Sequence, residues 1–177
     1  LTTVGGHVEI SSTSELTSVS FPKLQGVGGA VAIRNNSKLN SINLNSLMQT
    51  NWFFEISNSL ISNVDNLSSL KSVGSSASRE YNYFALYQNM ELLNVDGLSS
   101  LTTVAGYLGI YNNLKLLNIN GLSGITNTKE LYLHNNPALL NVDGLINLKT
   151  VGGILTLYNT SITNLNGLTN LTNLTYS

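Results

Sequence analysis

The side chains that could carry acid–base or metal chemistry are few in this sequence of 177 residues, and their spacing keeps them apart. The two histidines, His7 and His134, fall in different strands of the repeat described below, too far apart to share a metal ion or a proton. We expect both to be exposed. Glu9 and Glu55 are predicted to point outward from one strand face, but an intervening strand presents Ala32 there. The two carboxylates are then separated by two steps of roughly 4.8 Å.

The remaining acidic residues also argue against catalysis. All three aspartates, Asp65, Asp96 and Asp143, are predicted at one corner of the repeat, whereas polysaccharide-cleaving solenoid enzymes need carboxylates clustered on a strand face. The absence of cysteine excludes disulfides, thiolate metal sites and a cysteine nucleophile. The glycines of segment 26–29 recur at a corner of other repeats, so no phosphate is needed to explain them. We therefore predict a protein that is not an enzyme and uses no metal or cofactor.

Aromatic side chains are the feature that suggests binding. Seven of them are predicted to point outward from the later strands: Tyr83, Tyr87, Tyr107, Tyr111, Tyr132, His134 and Tyr158. Tyrosine combines flat apolar area with a polar hydroxyl, which suits contact with sugar rings or a protein surface. The alternative is that cross-strand tyrosine pairs only stabilise the sheet. Trp52 and Phe53, in an irregular third repeat, are the second candidate site, and an insertion around 74–80 is a candidate binding loop.

These aromatic residues belong to an internal repeat. Its most regular position, just before an Asn-rich turn, is occupied by Ile10, Ile33, Ile56, Leu86, Ile110, Leu133 and Leu157. Their spacing is 23 or 24 residues, except for one step of 30 that contains the insertion. Such a fixed period indicates a stacked repeat architecture.

The apolar pattern within each repeat favours short strands. A second apolar residue stands two positions before the first, as Val8, Val31, Phe54, Phe84, Leu108, Leu131 and Leu155, which is the alternation of a half-buried strand. The repeat is too short for a strand plus a long helix, and its β-branched residues with Gly and Asn punctuation favour strands and tight corners, in a coil with about three short faces per turn. We predict an all-β, right-handed parallel β-solenoid of about seven turns, here called rungs, in one domain over 1–177.

Two kinds of corner punctuate the rungs. Asparagines recur after the main strand, for example Asn112 and Asn135, where Asn adopts the left-handed conformation, and stacking should form an asparagine ladder. At a later corner, glycine follows Asp or Asn, as in Gly97 and Gly121, which predicts a turn with positive φ.

Composition limits the partners. Charged residues make up 10% of the chain and the net charge is −1, so the sequence predicts no binding to nucleic acid. No apolar run approaches the length of a membrane-spanning helix, and we expect no direct membrane insertion of this segment.

Three phrases of the sequence resemble a known family. LTSVSFPKLQGVGGAVAIRNNSKLNSI, LTTVAGYLGIYNNLKLLNINGL and LKTVGGILTLYNTSITNLNGL are similar to receptor L-domain-like leucine-rich repeats, as in fungal GPI-anchored cell-wall proteins, microbial surface proteins and, distantly, insulin- and EGF-type receptors. The resemblance implies an extracellular or cell-surface location. The cysteines common in the animal receptors are missing, which favours a microbial source.

Two functions are compatible with these features. The first is a recognition or adhesion module that binds protein or glycan at the cell surface through its strand face. The alternative is a structural subunit that polymerises into a cell wall, sheath or filament. The chain begins and stops inside a repeat, so we expect a solenoid uncapped at both ends that associates end to end or belongs to a longer chain.

Overall fold

The computed structural model of the protein describes residues 1–75 and 82–175. Their strands are, in chain order, β1 (Thr3–Val4), β2 (Val8–Ser11), β3 (Ser18–Ser20), β4 (Gly26–Val27), β5 (Val31–Arg34), β6 (Ser41–Asn43), β7 (Gln49–Thr50), β8 (Phe54–Ser57), β9 (Ser72–Val73), β10 (Tyr83–Tyr87), β11 (Thr103–Val104), β12 (Tyr107–Tyr111), β13 (Asn127–Thr128), β14 (Glu130–Asn136), β15 (Thr150–Val151), β16 (Leu155–Thr160) and β17 (Asn173–Leu174). The strand pairs among these residues are parallel, and the predicted all-β solenoid of about seven turns is confirmed.

The main face of the solenoid is a seven-stranded parallel sheet in the order β16-β14-β12-β10-β8-β5-β2. Its register pairs the predicted apolar positions rung by rung; Leu86 lies beside Ile110, and Leu133 beside Leu157. The inward side chains of the central rungs are fully buried in one continuous core. Each rung therefore contributes one layer to the core and depends on its neighbours to cover it.

A second face carries shorter strands. Five of them form a sheet in the order β1-β4-β7-β9-β11, and β13, β15 and β17 continue the same wall as a separate sheet. Within the part of the chain that the structure describes, the third face is a strand only in the first two rungs, where β3 pairs with β6.

In the later rungs the third face is a 3₁₀ turn, in keeping with the predicted mixture of strands and tight corners. The turns are Asp65–Leu67, Asp96–Leu98, Asn120–Leu122, Asp143–Leu145 and Asn166–Leu168. An asparagine two residues before each turn accounts for the change, since its side-chain oxygen accepts a hydrogen bond from the first backbone N–H of the turn, as Asn94 does from Asp96 at 3.1 Å. Such a bond closes the chain into a tight turn.

The glycines of this corner serve a different purpose from the one predicted. Among the described residues only Gly74 combines glycine with positive φ, so Gly97 and Gly121 are not selected by backbone conformation. A Cβ on Gly121 would lie 1.9 Å from the carbonyl oxygen of Val95 in the preceding rung. Glycine is required here because adjacent rungs approach each other too closely for any side chain.

Gly121→Ala should therefore destabilise the solenoid although alanine suits the backbone angles. We expect a loss of about 1–3 kcal/mol, or more if the rungs cannot separate. Gly5→Ala is the matched control, since a Cβ there meets nothing within 4 Å. Urea unfolding of both variants measures the difference, and equal midpoints would show that the rungs relax without cost.

The asparagine corner follows the prediction. Asn35, Asn58, Asn112, Asn135 and Asn159 have φ between 50° and 58°. Their side chains form a ladder, in which the Asn135 amide donates to Asn112 at 2.8 Å and the Asn159 amide donates to Asn135 at 2.8 Å.

A second, buried asparagine row reinforces the same corner. Asn113 and Asn136 are fully buried, and each donates its side-chain amide to a backbone carbonyl of the preceding rung. The Asn136 side-chain oxygen in turn accepts from the Asn113 backbone N–H at 3.0 Å. These hydrogen bonds link each rung to the next and hold adjacent rungs at a fixed spacing.

Candidate functional site

The outward side of the seven-stranded sheet presents three columns of side chains. Register places Tyr83 beside Tyr107 in one outer column and Tyr87 beside Tyr111 in the other. The middle column between them holds small residues in these rungs, such as Gly109. A Cβ on Gly109 would lie 3.0 to 3.4 Å from the rings of Tyr107 and Tyr111, which shows that the tyrosines lean inward over the middle column.

The first outer column is a stack of three rings. The Phe53 and Tyr83 centroids are 4.6 Å apart, and the Tyr83 and Tyr107 centroids 4.7 Å apart, with ring planes within 5° of parallel. At the far end of this stack the Arg34 guanidinium lies 5.2 Å from the Phe53 ring centre. The predicted residue Phe53 thus joins the tyrosine cluster.

The second outer column is a stack of four rings: Tyr87, Tyr111, His134 and Tyr158. Neighbouring centroids are 5.0, 4.9 and 4.8 Å apart, and the planes lie within 15° of parallel. The predicted aromatic residues are therefore brought together on one face. Their ring faces are largely covered by their neighbours, and apart from Tyr158, which is 53% exposed, they are only partly accessible.

A buried carboxylate, Glu55, lies in the middle column one rung before Tyr83. Although its strand position is outward, its side chain is only 4% exposed. Arg34 donates to both carboxylate oxygens at 2.7 Å, Tyr83 donates at 2.7 Å, Tyr87 at 2.8 Å and Ser57 at 3.1 Å. The predicted outward strand position of Glu55 and its separation from Glu9 by Ala32 agree with the register, but alternation did not predict its burial, which arises because the flanking side chains close over it.

These contacts determine the charge state of the network. Burial alone would raise the pKa of Glu55, but hydrogen bonds from Arg34, Tyr83 and Tyr87 outweigh it and hold the pKa below its ordinary value of 4.5. Burial and the bond to Glu55 raise the pKa of Tyr83. Glu55 is therefore an ionised acceptor between neutral phenols and a guanidinium. It is a structural anchor for the aromatic face, since its oxygens are fully occupied.

His134 is half-buried, and the expectation that it would be exposed was wrong. It lies between Tyr111 and Tyr158 in the second stack. Burial lowers the pKa of His134, and its buried Nδ1 has no hydrogen-bond partner among the described residues. His7, by contrast, is exposed, accepts a hydrogen bond from the Ala30 backbone N–H at 2.9 Å and contacts the Trp52 ring.

Protonation of His134 should cost stability. The folded-state pKa of His134 lies below the unfolded value, so the unfolded chain binds the proton more readily. The contribution of neutral His134 to the free energy of unfolding is therefore complete above about pH 6.5 and is lost as the pH falls through the folded-state pKa. Of the neighbouring groups, the phenols Tyr111 and Tyr132 are neutral in this range, and the nearby carboxyl group is that of Glu130. We expect His134→Phe to reduce the loss of stability between pH 7 and pH 5. An unchanged pH profile of thermal unfolding in the variant would show that His134 titrates normally.

The regular columns end in a hollow at the sixth rung. Its volume is about 340 Å³, and it is lined by Tyr107, Tyr111, Glu130, Tyr132 and His134. Here the middle column carries Tyr132 instead of a small residue, and its ring lies 83° from that of Tyr107 and 88° from that of His134. We call this feature the tyrosine hollow.

The polar groups of the tyrosine hollow differ in availability. Tyr132 donates its hydroxyl to Glu130 at 2.6 Å, and burial together with this bond raises the pKa of Tyr132 to about 12. The hydroxyls of Tyr107 and Tyr111 make no hydrogen bond within residues 1–75 and 82–175. Burial also raises the pKa of Tyr111 to about 12. Both phenols are neutral donors, free to bond a ligand.

Trp52 forms a separate contact. Its ring meets that of His7 at 4.7 Å and 67°, and it is 38% exposed. The candidate loop around 74–80 lies mostly outside the described residues. Its two flanks meet beside the first stack, where the Asn82 side chain donates to the Ser75 carbonyl at 2.7 Å.

Searches for other kinds of site were negative. The described part of the chain contains no group of three or more His, Cys, Asp or Glu side chains that could hold a metal ion, and no helix in it is long and apolar enough to cross a membrane. Comparisons with protein-family models, with curated proteins and with solved structures found no match.

Proposed function

We propose that the chain is a non-enzymatic recognition or adhesion module that binds protein or glycan through the tyrosine-rich half of its strand face. The observation that carries this proposal is the tyrosine hollow, where two unbonded phenol hydroxyls, on Tyr107 and Tyr111, border a concavity at the end of a rigid aromatic surface. Tyr111 is stacked between Tyr87 and His134, and Tyr107 is stacked on Tyr83 and meets the Tyr132 ring edge-on, so a ligand need not order these rings.

The way the rings are stacked indicates how a ligand would be recognised. Because both faces of Tyr83 and of Tyr111 are covered by neighbouring rings, a sugar cannot stack on either of them. Tyr83 presents its edge, because its hydroxyl donates to Glu55, whereas Tyr111 presents its edge and a hydroxyl that is unbonded within the described residues. Recognition would then rely on hydrogen bonds from phenols and on contact with Tyr132 and the exposed ring of Tyr158.

The cell-surface location is part of the proposal and is supported by the sequence resemblance to receptor L-domain-like leucine-rich repeats. A repeat scaffold with a flat strand face also suits extended partners. Catalysis receives no support from the face, since Glu55 is fully occupied by Arg34 and two phenols and so has no free oxygen for acid–base work.

A glycan and surface-protein array probed with wild type and with the double variant Tyr107→Phe, Tyr111→Phe tests the proposal. The variant keeps both rings and removes only the two hydroxyls, so the fold is preserved while affinity for the ligand falls by about tenfold, as expected for two lost hydrogen bonds. Thr103→Ala, Thr150→Ala on the second face is the control and should bind like wild type. A ligand bound equally by wild type and the double phenylalanine variant would refute this site and direct attention to Trp52.

A further inference from the structure

The strand face uses one combination of groups twice. In rungs two to four, an aromatic ring and a carboxylate lie together, and the chain supplies its own cation to them: Arg34 contacts the Phe53 ring and forms a bidentate pair with Glu55. In the tyrosine hollow, aromatic rings and a carboxylate again lie together, as Tyr107, Tyr132 and Glu130.

The described residues supply no cation to the second arrangement. No Lys or Arg nitrogen lies within 4.0 Å of the Glu130 carboxylate in the described residues, whereas Lys38, Lys115 and Arg34 all have acidic partners. The outward positions of the last four rungs hold no Lys or Arg. Glu130 therefore leaves a negative charge beside the rings of the hollow, and burial keeps His134 from balancing it by lowering its pKa.

The shape of the hollow specifies which kind of cation fits. Tyr132 stands nearly perpendicular to Tyr107 and to His134, so rings border the hollow from different directions. Electron-rich ring faces attract cations, and a carboxylate adds to this attraction. One oxygen of Glu130 already accepts from Tyr132, which leaves few acceptors for the three strong donors of a simple ammonium group. An alkylated ammonium has few donors to satisfy and presents methyl groups to the rings.

We propose that the tyrosine hollow binds an alkylated ammonium group, such as the head of choline or of a methylated lysine side chain. This inference specifies the chemistry of one ligand group that binds at the site of the proposed function. It rests on that function only because both use the same strand face. The sheet positions Tyr107 and Tyr132 as the aromatic walls and Glu130 as the anionic partner.

Choline and its uncharged carbon isostere 3,3-dimethylbutan-1-ol are the probes that test the proposal. The two have the same shape, so only a site that recognises charge distinguishes them. We expect saturable shifts of the Tyr107 and Tyr132 ring signals in NMR titrations with choline, and affinity at least about fivefold weaker for the alcohol. Equal affinity for both probes, or no saturable binding of choline, would overturn the proposal.

Two variants test whether choline binds in the tyrosine hollow. Glu130→Gln preserves size and removes the charge, and should weaken choline binding about fivefold or more; Tyr132→Leu removes a ring and should abolish the shifts. Glu91→Gln, an exposed carboxylate paired with Lys115 on another face, is the matched control and should leave binding unchanged. Choline affinity that is insensitive to both Glu130→Gln and Tyr132→Leu would contradict the assignment of the hollow.

Two further probes show whether the alkylated ammonium group belongs to a protein or to a lipid-derived molecule. A trimethyllysine peptide and glycerophosphocholine carry the same cation, and tighter binding of either one supports the proposal and identifies the partner as protein or lipid-derived. The result of the choline titration does not depend on the result of the array experiment. A partner without any cationic group, lost on removal of the Tyr107 and Tyr111 hydroxyls, together with no saturable binding of choline, would support the recognition function and refute the cation site.

Discussion

Glu55→Ala should lower the free energy of unfolding by about 3 kcal/mol. The substitution leaves Arg34 without its bidentate partner and removes the acceptor of the Tyr83 and Tyr87 hydroxyls. Breaking a buried ion pair costs about 3–5 kcal/mol, and the lower end applies because the Arg34 side chain keeps 29% exposure. Urea unfolding at pH 7 measures the change.

Acid titration provides an independent check on the same network. Because the folded-state pKa of Glu55 is depressed, its contribution to stability is fully present above the ordinary value of 4.5 and is lost as the pH falls through the folded-state pKa. Wild type should therefore lose more stability below pH 4.5 than Glu55→Ala does. Glu91→Ala, which removes an exposed pair with Lys115, is the control and should cost less than about 1 kcal/mol. Similar losses for the Glu55 and Glu91 variants would show that the buried network contributes little.

Leu133→Asp should prevent folding. Leu133 is fully buried in β14 and pairs with Leu157 of the next rung, so the new carboxylate would lie in the core with no partner. Losing the leucine side chain alone costs about 2–5 kcal/mol, and burying an unpaired charge adds to it. The sum is comparable to the total stability of an ordinary domain.

Circular dichroism and thermal melting of Leu133→Asp measure this outcome. Thr103→Asp places the same charge on an exposed position of β11 and should melt within a few degrees of wild type. A Leu133→Asp protein that unfolds cooperatively at the wild-type temperature would contradict the strand register and with it the arrangement of the outward columns.

The strand register was predictable because it follows from spacing alone. Alternating apolar residues fixed which side chains point inward, so the tyrosines of β10 and β12 could be placed on one outward face from sequence. The left-handed asparagines were predictable for the same reason, since Asn is among the few residues that tolerate that conformation.

The contacts within the outward face were not predictable in the same way. Alternation placed Glu55 outside, but it could not show that Tyr83 and Tyr87 would lean over it. A signal was present in the middle column, where Ala32 precedes and Ala85 follows Glu55: small residues leave room for long side chains from both outer columns to meet.

At the glycine corner the position was predictable from sequence, but the reason for the glycine was not. Asp or Asn followed by glycine matches a positive-φ turn, and yet Gly97, Gly121, Gly144 and Gly167 are selected by the close approach of a carbonyl in the preceding rung. Sequence spacing does not encode the distance between stacked backbones. For this reason the repeat predicted where the corner lies but not why its glycine is needed.

The most direct test of the recognition site is an NMR titration of isotope-labelled protein with the ligand identified on the array. We expect the largest shift changes on Tyr107, Tyr111, Tyr132 and His134, while the threonine-rich second face around Thr103 and Thr150 stays unchanged. Shift changes centred on that second face or on Trp52, with the hollow unaffected, would contradict the assignment of the aromatic strand face as the binding surface.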